Sequence, residues 1–172
     1  MGPTLINNLP AHVLLVHVVV VLVPLTALAL VICAAWPAGA RRLGLALPVL
    51  ALVTLASVPL TSHAGEWLER HVDSDPLVRA HARLGDGLLP WALGLFVLAA
   101  ALWWVVRRRA TAEAEPRGAA VAVTAPLRAT AIVLSLIVGA GAVVQTYRIG
   151  DSGAKAAWHD GYSATATSHD KG

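Results

Sequence analysis

Read as a pattern of apolar and polar positions, the chain shows neither the alternation of a half-buried strand nor the narrow stripe of a soluble helix. It shows four long apolar runs separated by polar segments. The runs cover residues 12–36, 43–62, 88–106 and 125–146. A helix needs about 20 mostly apolar residues to cross the hydrocarbon core of a bilayer, and each run is about that long. Together they take up about half the chain, which leaves no room for a separate soluble domain. The first run lacks the charged leader of a signal peptide, since no Lys or Arg precedes Arg41. It also exceeds the 7–15 apolar residues of a signal h-region. It is therefore read as a span.

The pattern predicts an all-α membrane protein: a four-helix bundle made of two helical hairpins, filling residues 1–162. Residues 63–87 form a long loop at one end, residues 107–124 a linker at the other, flexible from 110, and the tail 163–172 (SATATSHDKG) has no apolar period and is predicted to be disordered. Both hairpins begin with a Leu-Pro step, Leu9-Pro10 and Leu89-Pro90, as an old duplication would leave them. Pro24, Pro48 and Pro59 fall within spans and are expected to kink them. The run Gly139-Ala140-Gly141-Ala142 is expected to let the fourth span approach a neighbour closely.

Composition supports this picture. The chain is 57% hydrophobic and 13% charged, where a soluble domain carries about 25% charged residues. Mean hydropathy is +0.68. These values argue against a soluble globular domain, a disordered chain and a nucleic-acid binder. Cys33 is the single cysteine, which excludes an intramolecular disulfide and any multi-cysteine metal site.

Charge sets the expected orientation. One end of the bundle carries Arg41, Arg42, Arg107, Arg108, Arg109, Arg117 and Arg128 against only Glu113 and Glu115. The other end has more acids than bases. By the positive-inside rule the arginine-rich connections are cytoplasmic, and both termini and the 63–87 loop lie outside. The expected location is a bacterial plasma membrane, crossed several times. Trp36, Trp103 and Trp104 fall at the expected inner interface, and Trp67, Trp91, Tyr147 and Trp158 at or beyond the outer one.

All seven histidines belong to the outer side: His12, His17, His63, His71, His81, His159 and His169. His17 lies inside the first span, where an ionisable group is expensive and normally faces the bundle interior. It could bond a neighbouring helix, at Gln145 or Ser62, or bind a cofactor. His12 is five residues away, about 140° around a helix, so the two do not share a face. His12 reads as an interfacial group near the start of the span. His81, just before the third span in RAHARLGDG, is expected to face the outer end of the bundle. His17 and His81 are thus the candidate axial ligands of a b-type haem, which helical bundles hold by side chains of facing helices. His63 is the reserve ligand.

Loop 63–87 offers a second arrangement. His63, Glu66 and Glu69 recur every three residues. If the second span continues as a helix, they share one side, and a His with carboxylates can bind zinc or iron. The plainer reading is a solvated turn with Glu66 and Arg70 paired at i, i+4. Arg148 is placed to pair with Asp86, Glu66 or a haem propionate. Gly150-Asp151-Ser152-Gly153 looks like the surroundings of a serine nucleophile but directly follows a span. It reads as a helix end at Gly150 followed by a capped turn or a short interfacial helix. No phosphate-binding loop, metalloprotease motif or dinucleotide fingerprint is present. The spans hold no internal Asp, Glu, Lys or Arg, which argues against an ion-coupled transporter.

Four motifs carry a family resemblance: L-P-A-H-x-L-L-V-H at 9–17, A-G-E-x-L-E-x-x-V at 64–72, H-A-x-L-G-D at 81–86 and R-I-G-x-S-G-A-K-A-x-W at 148–158. With these, the chain resembles the bacterial "domain of unknown function 2231" family along nearly its whole length. The resemblance implies a four-span membrane domain with no established activity. It also implies electron-transfer company, because relatives are fused in some cases to a Rieske iron–sulfur domain, for which this chain lacks the cysteines. Its matching polar positions are His12, His17, Glu66, His81 and Asp86. Asp151 stands where His is expected in many relatives, while His63 and His71 are peculiar to this chain.

Two functions follow as expectations. The first is a membrane haem or metal protein passing electrons near the outer face. His17 and His81 would be its ligands, Arg148 would neutralise a propionate, and Glu66 would orient a ligand or carry protons. The second is a non-catalytic subunit or scaffold whose polar outer rim binds a redox or other membrane protein. A metal-dependent enzyme using His63, Glu66 and Glu69 is a third reading, and no residue is assigned as catalytic.

Overall fold

The computed structural model describes residues 5–6, 9–72, 75–114 and 125–159. A two-residue antiparallel pair, β1 (Leu5–Ile6) with β2 (Leu9–Pro10), leads into six helices. These are α1 (Ala11–Ala35), α2 (Pro37–Leu43), α3 (Ala46–Glu69), α4 (Pro76–Asp86), α5 (Leu89–Ala114) and α6 (Ala125–Trp158). Four helical stretches are long and apolar enough to cross a membrane: α1, α3, α5 with α4 running into it, and α6. The fold is an all-α membrane bundle, as the apolar runs predict.

Local chemistry sets the turns. Trp36 leaves α1 in an extended conformation (φ −126°, ψ 97°), and Pro37 opens α2 at its first turn, where the missing N–H costs nothing. Gly44 then takes φ +50°, a backbone region that glycine enters without a Cβ penalty. That residue reverses the chain into α3. Pro48 falls in the first turn of α3, again where an N–H would have no helical partner. Pro24 and Pro59 lie inside α1 and α3. Each removes one backbone bond to the carbonyl four residues earlier, and both helices continue through them.

The helices outrun the apolar runs. The second span continues to Glu69, so residues 63–69 are helical. The rest of the expected 63–87 loop contains α4, capped by Asp75, whose carboxylate accepts from the Leu77 N–H at 2.7 Å. Residues 107–114 prolong α5 instead of belonging to a linker, because Arg, Ala and Glu are strong helix formers. Residues 115–124 and the expected tail lie outside the described residues. No helix end occurs at Gly150, and α6 runs unbroken to Trp158.

The four long helices pack in the cyclic order α1, α3, α5, α6. Val23, Leu30, Leu47, Ala51, Leu95, Ala99 and Ala142 fill the axis. Small residues bring the fourth span close, as expected. Gly139 faces Ala27 of α1, and a Cβ on Gly141 would stand 2.1 Å from the Trp91 ring. Trp91 therefore packs on α6. Val21, Leu28, Leu60, Val97 and Ile137 are each more than half exposed and form the face offered to lipid. Inside, Thr26 and Thr54 join α1 to α3 by a hydroxyl–hydroxyl bond of 2.7 Å. At the arginine end, guanidinium groups lie over indoles: Arg42 on Trp36, Arg107 on Trp103 and Arg108 on Trp104.

Candidate functional site

The polar cluster at the histidine end is built from four helices. His12 stands in the first turn of α1 and His81 in the middle of α4. Their rings meet edge to face, with centroids 6.2 Å apart. Each ring is fixed by a carbonyl of a different helix. His12 Nδ1 lies 3.0 Å from Thr61 O on α3, and His81 Nδ1 lies 3.1 Å from Ile149 O on α6. A carbonyl oxygen can only accept, so Nδ1 carries the proton in both rings and each Nε2 keeps a free lone pair. Ser152 Oγ sits 3.0 Å from His81 Nδ1 and itself donates to Ile149 O at 2.9 Å.

Glycine makes room for both rings. A Cβ on Gly65 would come within 3.0 Å of His12 Cε1 and Nδ1, and a Cβ on Gly153 within 3.0 Å of His81 Cε1. Each histidine therefore lies on a glycine of the helix whose carbonyl it bonds. This is why α6 carries a glycine at 153 without ending there. Gln145 completes the cluster. Its Nε2 donates to Leu84 O at 2.7 Å, next to Gly87, and ties the end of α4 to α6.

The remaining expected residues are dispersed. His17 is exposed, and its Nδ1 donates to Val13 O of its own helix at 2.6 Å. It does not reach Gln145 or Ser62, and His12 stands beside His81 in its place. The bond to Val13 O satisfies one ring donor on a face that looks toward lipid. His63 and Glu66 are exposed, and with Ser62 and Asp86 they line an open cleft of about 240 Å³ between α3 and the α4–α5 junction. Among the described residues, no three His, Cys, Asp or Glu side chains converge as a metal-holding group. Arg148 is exposed on α6, one residue before Ile149. His71 stacks on Trp67 with centroids 4.1 Å apart, and His159 Nε2 lies 3.4 Å from Asp75. His169 lies outside the described residues.

The four elements of this cluster contain the four quoted motifs: His12 at the start of α1, Gly65 in α3, His81 in α4, and Ile149 to Gly153 in α6. A family model described as "Predicted membrane protein (DUF2231)" matches residues 8–166. The chain belongs to that family. No curated protein and no solved structure matches it. Membership of DUF2231, together with four apolar helices, makes this a multi-pass protein of the lipid bilayer.

Sequence reasoning missed the part played by His12 and by the two glycines. The signal for His12 was its place in the first motif, directly after Pro10. For Gly65 and Gly153 it was their position inside helices, where a glycine is about 1 kcal/mol worse than alanine unless packing requires it.

Proposed function

We propose that the histidine end of the bundle binds a transition metal, as haem b iron or as a bare zinc or iron ion, and that with a redox-active metal the protein passes electrons near the outer face of a bacterial plasma membrane. The observation that carries this reading is the His12–His81 pair. Metal-ligating histidines usually donate their second ring nitrogen to a carbonyl or carboxylate, which fixes the tautomer and the ring direction. Both rings meet that condition, on two different helices. Two imidazoles bound at about 2 Å to one metal place their ring centres roughly 5–6 Å apart; the two rings stand near that spacing, at 6.2 Å, and would turn their Nε2 atoms toward a shared metal. Arg148, exposed on the adjoining turn of α6, would suit an acidic substituent such as a propionate, and Glu66 in the neighbouring cleft would serve proton exchange. His17 is the competing second ligand, since sequence reading pairs it with His81.

The test is an absorption spectrum of detergent-purified protein, expressed with haem precursor, oxidised and then dithionite-reduced, together with metal analysis. Sharp α and β bands are expected on reduction, lost in His81→Ala and His12→Ala and kept in His17→Ala. Loss in His17→Ala with retention in His12→Ala would restore the His17–His81 pairing. Zinc or iron without haem, lost on Glu66→Ala, would move the site to the cleft and favour the enzyme reading. A featureless spectrum with no bound metal overturns the proposal in favour of a scaffold whose polar rim binds a partner.

A further inference from the structure

The arginine end of the bundle holds a half-open pocket of about 330 Å³, lined by the end of α1, α2, α5 and α6. Its walls are apolar and made of small residues alternating with large ones, among them Cys33, Ala34, Leu102, Ala131 and Leu134. Two guanidinium groups, those of Arg109 and Arg128, border it. Arg128 is engaged, because its Nη2 donates to Ala35 O at the end of α1. Arg109 is not. Its Nε and Nη2 are buried from solvent and have no hydrogen-bond partner among the described residues.

That combination is unusual. Buried donors are almost always satisfied, and one left unmade carries its full desolvation penalty, larger still when charged. Arginine presents its N–H groups as a planar fork that fits the oxygens of a phosphate or carboxylate. A neutral or cationic guest would leave both donors unmet, and a free anion would leave the apolar walls empty. The guest that meets both conditions has an anionic head and a hydrocarbon tail. Basic pockets between membrane helices suit such headgroups, and Arg107 and Arg108, held over their indoles, add positive potential at the same level.

We propose that this cavity is a binding site for an anionic phospholipid. One acyl chain lies between α1, α5 and α6, and the phosphate accepts from Arg109 with Arg128 beside it. The inference rests on the arginine end alone and is independent of the metal site.

The experiment uses the whole protein in detergent and in nanodiscs. Phosphatidylglycerol and phosphatidylcholine of identical acyl composition are titrated separately, and binding is read by native mass spectrometry and by the unfolding temperature. Wild-type protein is expected to retain phosphatidylglycerol at least tenfold more strongly than phosphatidylcholine. Arg109→Gln is expected to abolish that preference, Arg109→Lys to keep part of it, and Arg70→Gln, at the opposite end of the bundle, to leave it unchanged. Equal retention of the two lipids by wild type overturns the proposal without any variant, should Arg109→Gln fail to fold. An unchanged preference in Arg109→Gln, or equal stabilisation by inorganic phosphate alone, also overturns it.

Discussion

The two ends of the bundle solve the problem of polar groups near a membrane in opposite ways. At the histidine end the polar groups are closed on one another. His12, His81, Ser152 and Gln145 each meet a carbonyl of the protein, and two glycines admit the rings. At the arginine end a half-open pocket remains and two donors of Arg109 have no partner among the described residues. The first end is preorganised, with the unused valence confined to the two Nε2 lone pairs. The second leaves donors and space unfilled among the described residues, which is what the proposed lipid would supply. The His12–His81 cluster and the Arg109 pocket therefore differ in whether their donors are met more clearly than in residue type, and the open cleft at Glu66 lies beside the first.

Enlarging a residue at each end tests this difference most strongly. Gly153→Val forces the His81 ring from its carbonyl, and overpacking of this kind costs about 1–3 kcal/mol. Ala131→Leu at the arginine end fills empty space, and cavity filling gains about 0.5–2 kcal/mol. Thermal unfolding in lipid-free detergent should show the two changes with opposite sign. Destabilisation by both would mean that the arginine end is as tightly packed as the other.

Removing a histidine has a smaller effect on stability. His12→Ala deletes one bond between α1 and α3, worth about 1 kcal/mol, and relieves the contact on Gly65. The same unfolding measurement should show a modest loss, with helical content by circular dichroism unchanged. His17→Ala breaks only a bond within its own helix and should cost less. A larger loss for His17 would contradict the outward placement of that ring.

Smaller still is Thr54→Val, which removes the bond to Thr26 at mid-bundle. Hydrogen bonds between membrane helices average about 0.6 kcal/mol, and chemical denaturation should show a loss of that order. At the bottom of the scale, Lys155→Ala breaks an exposed pair with Asp151 and should leave the unfolding temperature unchanged. A clear drop there would mean that the last turns of α6 are held by charge and not by the packing of Ile149 and Gly153.

The spans were legible because membrane crossing demands long apolar runs, and the small residues of the fourth span were legible because close packing demands them. Three features were not. The rotation of α1 was hidden because its residues are apolar around the whole circumference, so nothing in the pattern distinguishes the side of His12 from the side of His17. The helix ends were hidden because Gly150 and Gly153 look like punctuation, whereas Gly153 answers to a ring on another helix. The unmet donors of Arg109 could not be seen in a run of three arginines, of which two lie over indoles and one turns inward. In each case the missing information is a contact between distant parts of the chain.

One element belongs to both ends. The 34 residues of α6 make a rod of about 51 Å, far longer than the roughly 30 Å hydrocarbon layer. Its first turns wall the arginine cavity, and its last turns hold His81. A helix cannot shorten or fold without breaking its own backbone bonds, so it moves as a lever. A tilt of about 5° about its middle displaces each end by about 2 Å. A guest seated in the pocket that α6 walls would thus bear on the same beam that holds His81, and the membrane is the fulcrum.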